Sequence, residues 1–158
     1  SFILMENNVV YNTKTGGFHQ HYGRENVIRN NIFAFADLHQ LQRTRTENHT
    51  SFEFLQNIIY WDSGRLLSGN WGDNNFVMDQ NLYWDTRREP IVFDVDRFLG
   101  WRRRGHDEQS RIGDPRFADP VNADFSLHPT SAAFRLGFEE IDVSTVGPRV
   151  TPGVRELE

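Results

Sequence analysis

The chain has 158 residues, no cysteine, a formal charge of −5 and 37% hydrophobic residues. This excludes a disulfide framework and any thiolate site, and argues against nucleic-acid binding through a basic face. No window approaches the roughly 18 apolar residues that cross a bilayer. Aromatic residues are plentiful, Phe alone supplying 13, which suits a narrow core lined by large apolar side chains.

The chain opens inside a strand-like run, Phe2-Ile3-Leu4-Met5, so sequence upstream of Ser1 is expected. A pattern then repeats four times: Met5-Glu6-Asn7-Asn8-Val9-Val10-Tyr11, Ile28-Arg29-Asn30-Asn31-Ile32-Phe33-Ala34, Phe54-Leu55-Gln56-Asn57-Ile58-Ile59-Tyr60 and Met78-Asp79-Gln80-Asn81-Leu82-Tyr83-Trp84. The second Asn recurs after 23, 26 and 24 residues, a period of one solenoid coil. The segments are too short and too rich in β-formers for a helical repeat. Asn tolerates the left-handed backbone of a tight turn, and stacked side-chain amides can satisfy one another along an axis. Asn8, Asn31, Asn57 and Asn81 are therefore read as a ladder.

Ten positions after each ladder Asn stand Phe18, Leu41, Leu67 and Ile91, an apolar column expected to point inward. Side chains alternate along a strand, so His19, Gln42, Ser68 and Val92, then His21, Thr44, Asn70 and Asp94, should face out. This polar wall is the predicted functional surface. After Asp96 the repeat stops. Phe98 and Trp101 are spaced for a short helix laid on the solenoid. A Pro- and Asp-rich tail from Gly113 is expected to cover the C-terminal end, with Phe117, Phe125, Leu127, Phe134 and Phe138 plugging in. The predicted organisation is an all-β parallel β-helix of about four coils over 1–96, a short helix and cap over 97–150, and a frayed tail over 151–158.

The segments GGFHQHYGRENVIRNNIF and NLYWD and the ending DPRFADPVNADFSLHPTSAAFRLGF resemble bacterial right-handed parallel β-helix proteins. More narrowly, the chain resembles the C-terminal portion of β-helical glycoside hydrolases of the fucosidase/xylanase type. The resemblance implies a secreted, periplasmic or cell-surface setting, a polysaccharide or oligosaccharide partner, and carboxylate chemistry in a cleft along one sheet, part of it upstream of Ser1. No cofactor or metal is expected.

His19 and His21 share a strand face, close enough to grip a sugar hydroxyl, shuttle a proton or bind a metal. A metal would need further ligands, and the neighbouring coil offers only Gln42 and Thr44, which are poor ones. His19, His21 and Asp94 are the candidate catalytic residues. Gln42, Ser68, Asn70, Thr44, His39 and Trp71 are the candidate substrate-binding set. Asp37, Asp62, Asp73, Asp85 and Asp96 are further reachable carboxylates, of which Asp62 and Asp85 recur at equivalent places and read as turn-bonding residues. Three functions stay open: a glycoside hydrolase, a non-catalytic glycan-binding or self-assembling module, and an esterase-like hydrolase using the His/Ser/Asp wall. A carboxylate pair at glycosidase spacing would favour the first; a wall of amides and hydroxyls would favour the second. The apolar Phe2–Met5 and Phe18 end is expected to be buried by self-association, as a higher homo-oligomer or, most simply, a two-fold homodimer stacked end to end.

Overall fold

The computed structural model describes residues 1–147. Its chain winds as a parallel β-solenoid of about three turns. The first coil holds β1 (Leu4–Glu6), β2 (Val9–Tyr11) and β3 (Phe18–Gln20). The second holds β4 (Asn26–Arg29), β5 (Ile32–Ala34) and β6 (His39–Arg43). The third holds β7 (Phe52–Leu55), β8 (Ile58–Trp61) and β9 (Arg65–Gly69). The fourth is incomplete. It adds β10 (Val77–Asp79) and β11 (Leu82–Asp85), then leaves in an antiparallel hairpin of β12 (Val92–Phe93) and β13 (Asp96–Arg97). Three parallel sheets result: β1-β4-β7-β10, β2-β5-β8-β11 and β3-β6-β9.

The Asn ladder sits at the corner between the first two sheets. Backbone N–H groups of Asn8, Asn31 and Asn57 donate to the side-chain oxygens of Asn31, Asn57 and Asn81 at 3.0, 2.9 and 2.9 Å. The left-handed residue of each turn is the one before the ladder position: Asn7, Asn30, Gln56 and Gln80 all have φ between 53° and 59°. The ladder Asn supplies the amide and its predecessor supplies the bend. Alternation in the second sheet then sends Phe33, Ile59 and Tyr83 into the solenoid core and Ile32, Ile58 and Leu82 outward.

That outward apolar face explains the tail. After α1 (Phe98–Arg103), a short β14 (Arg111–Ile112) extends the second sheet beyond β11. The chain then forms a hairpin of β15 (Phe117–Asp119) and β16 (Asp124–Leu127), followed by α2 (Ala132–Arg135). Phe117, Phe125, Leu127, Phe134 and Phe138 pack with Ile32, Ile58 and Leu82, and Glu139 exchanges two hydrogen bonds with Asn30 in the second coil. The tail therefore lies along the flank of the second sheet instead of plugging the solenoid end, because that sheet is apolar on both faces and needs a cover. The end is closed by α1, whose Trp101 is fully buried. The predicted frayed stretch, 151–158, lies outside the described residues.

The third sheet carries the wall. Phe18, Leu41 and Leu67 stack in register, as do His19, Gln42 and Ser68. Gly69 ends the outer rung at φ +95°, where an added Cβ would stand 2.1 Å from the Arg43 carbonyl oxygen. Gly69→Ala is expected to cost about 2 kcal/mol, whereas Gly72→Ala, with nothing within 4 Å, should stay within about 0.5 kcal/mol of wild type. Denaturant midpoints of the two variants check this; equal midpoints would contradict it.

Candidate functional site

Strand parity decides which predicted residues reach solvent. His19 and His21 are exposed on β3 and just past it, and Gln42, Ser68, Thr44 and Asn70 line the neighbouring rungs at intermediate or full exposure. These six form one surface. Thr44 Oγ1 lies 2.9 Å from His19 Nε2 and 2.7 Å from His21 Nδ1. The Asn70 amide reaches the Thr44 carbonyl at 3.0 Å, and the Arg65 guanidinium reaches Ser68 Oγ at 3.2 Å.

Two predicted residues are buried, and a third, Asp94, sits at the wall's edge, where it lines a small pocket with Arg65 and Ser68. His39 shares the parity of Leu41 and is buried at 8% exposure; burial lowers its pKa, with Arg65 and His19 acting in the same direction against a Gln42 hydrogen bond. Trp71 is 1% exposed. Its indole N–H donates to the Ser68 carbonyl at 2.9 Å, and its ring packs on Phe52 and Phe76. It is a core residue closed to a sugar ring. Asp94 misses the wall column because the third sheet stops at β9; it occupies the β12–β13 turn with φ 59°. There Arg104 Nη1 lies 3.4 Å from Asp94 and 3.2 Å from Asp96. The Arg104 guanidinium thus bridges the two carboxylates across the turn.

Ser68 and His19 share a face but lie two rungs apart, so about 10 Å separates their strands. That distance forbids a direct nucleophile–base hydrogen bond. Asp85 behaves as read: its carboxylate binds the Arg87 backbone N–H and guanidinium at 2.8–3.0 Å. Asp62 does not. It is exposed, and with Asp37, Asn12, Phe35 and Val121 it lines an open cleft of about 340 Å³ on another face of the solenoid.

Tyr22 was missed. It is 62% exposed, stands edge-on to His21 with ring centroids 4.7 Å apart, and has the Arg45 guanidinium 5.8 Å over its ring. The signal was an aromatic directly after the outward His21, one position beyond the last wall column. Among the described residues no three His, Cys, Asp or Glu side chains cluster as a metal site, and no helix is long and apolar enough to cross a membrane.

The fold and this surface define a parallel β-solenoid with a polar sheet face ending in an exposed aromatic. No protein-family model, curated protein or solved structure matches the chain.

Proposed function

We propose that the chain is a non-catalytic glycan-binding solenoid module, with the outer face of the third sheet as its binding surface. The observation that carries this reading is the wall's composition: His19, His21, Gln42, Thr44, Ser68 and Asn70 offer hydroxyl, amide and imidazole groups, and Asp94 at its edge is held by Arg104. Rungs about 4.8 Å apart suit the spacing of hydroxyls along an oligosaccharide. Tyr22 offers an aromatic face of the kind that packs against the C–H side of a sugar ring.

Calorimetric titration with a panel of neutral and acidic oligosaccharides tests it. Tyr22→Ala should weaken binding by about 1 kcal/mol, roughly fivefold, and a Tyr22→Ala/Gln42→Ala/Thr44→Val variant should lose it. Failure of every glycan to bind, or undiminished binding by the triple variant, would overturn the proposal.

A hydrolytic second reading draws on Asp37 and Asp62, two carboxylates facing one cleft, since glycoside hydrolysis needs such a pair. Chromogenic glycoside cleavage abolished by Asp37→Asn or Asp62→Asn would establish it over simple binding.

Self-association belongs to the same proposal. Phe2, Ile3 and Leu4 are 70%, 60% and 53% exposed beside the open edge of β1, a surface prone to pairing with another strand edge. A second copy related by a two-fold axis would cover it. Light scattering should give a dimer that Leu4→Glu converts to a monomer; a wild-type monomer at high concentration would refute it.

A further inference from the structure

Two imidazole nitrogens on the wall converge on one point. His19 Nε2 and His21 Nδ1 both contact Thr44 Oγ1, with ring centroids 6.0 Å apart. Thr44 has one hydroxyl proton, so it donates to one ring and accepts from the other. Changing one tautomer and turning that hydroxyl aside leaves two lone pairs aimed at the same small volume.

The arrangement is held in place. The backbone N–H of Thr44 donates to the Gln20 carbonyl at 3.0 Å, which extends the sheet pairing beyond β6 and seats Thr44 beside both histidines. Gln20, between them, points inward and is buried. Tyr22 braces the His21 ring.

We propose that His19 and His21 chelate a divalent transition-metal ion of the copper–nickel–zinc group, with the Thr44 hydroxyl beside it and water in the remaining positions. Neutral imidazoles favour these ions, which bind nitrogen at about 2.0–2.1 Å in the case of zinc. Calcium and magnesium require oxygen-rich sets, and Asp94 at the wall's edge is already engaged by Arg104. Two protein ligands leave positions open to exchangeable water or to a hydroxyl or carboxylate of a bound molecule. The inference stands independently of glycan binding.

The test is titration of the whole chain with Cu(II), and separately Zn(II), by calorimetry, with the Cu(II) paramagnetic resonance spectrum recorded at one equivalent. The expected result is one dominant site per chain with coupling to two nitrogens. His19→Ala and His21→Ala should each weaken Cu(II) binding at least about tenfold, the smallest loss seen even for an outer-shell partner. His128→Ala, removing another exposed imidazole, should leave the dominant site unchanged. Equal Cu(II) affinity in wild type and the His19→Ala/His21→Ala variant would overturn the proposal, as would a spectrum unchanged by that variant. Both positions are exposed, so folding is not at stake, and glycan titration of the metal-free protein reports on the binding face separately.

Discussion

Asp107→Ala should lower the unfolding free energy by about 3 kcal/mol, through the buried donors it strands. The Asp107 carboxylate is fully buried and closes the C-terminal end of the Asn ladder. It accepts from Trp101 Nε1 at 2.8 Å, from the Tyr83 hydroxyl at 3.0 Å to each oxygen, from Asn81 Nδ2 at 3.1 Å and from Ser110 Oγ at 2.5 Å. Ser110 Oγ in turn accepts the Asn81 backbone N–H at 2.8 Å, taking the place of a fifth ladder amide. Truncation strands several buried donors, each at a cost of about 1–3 kcal/mol where no water replaces the acceptor. Asp107→Asn is nearly isosteric, yet its amide N–H₂ must face either Trp101 or Asn81, both donors, so it too should destabilise. Denaturant unfolding measures both variants; a loss below about 1 kcal/mol in Asp107→Ala would be incompatible with this account.

The same residue makes a pH prediction. Burial raises the Asp107 pKa above its ordinary 3.8, against the opposing hydrogen bonds from Ser110, Trp101, Asn81 and Tyr83. The folded chain thus retains a proton over a range where the unfolded chain has released it. Its contribution is complete below 3.8 and declines as pH rises through the folded pKa. The stability difference between wild type and Asp107→Asn should therefore shrink as pH increases from 3.8, and a difference that grows would reverse the sign.

Asn57→Ala should be comparably damaging, at about 3 kcal/mol. Its side-chain oxygen receives the backbone N–H and the amide of Asn31 at 2.9 and 3.0 Å, and its own amide donates to the Ile28 carbonyl at 2.9 Å. All of this lies at a corner where Asn57 is 1% exposed, so the substitution leaves an unpaired N–H and C=O in the interior. Asn8→Ala is the contrast. Asn8 is exposed, and its amide bonds only to the Glu6 carbonyl and the Asn31 oxygen; water can replace both partners, so less than about 1 kcal/mol is expected. Thermal unfolding of the two variants decides the matter, since equal losses would mean that the ladder is not the source of the effect.

Much of the solenoid was legible because its determinants are local and repeated. The Asn at each corner, the apolar column ten positions later and the polar columns beside it follow from strand alternation plus a coil period. Phe18, Leu41 and Leu67 sit where that arithmetic puts them. The arithmetic failed where the chain left the period. Ile91 is buried as expected, but three residues later the chain is already in the β12–β13 turn, so Asp94 faces Arg104 instead of joining the Asn70 column. His39 and Trp71 stay off the face for a different reason: their chemistry suits contact with a sugar, but strand parity buries His39 and packing against Phe76 buries Trp71.

By itself, the sequence determined the coil period, the ladder, the inward and outward columns and the Phe98–Trp101 helix, because each depends on residues a turn, a strand step or one coil apart. Tertiary structure alone decided the rest. Only folding brought the tail along the second sheet, where Glu139 meets Asn30 across 109 residues, because an apolar outer face takes whatever cover the chain can supply. Only folding joined Asp107 and Ser110 to the last Asn, and only folding seated the Thr44 hydroxyl between His19 and His21. Such contacts depend on directions in space that no residue spacing encodes.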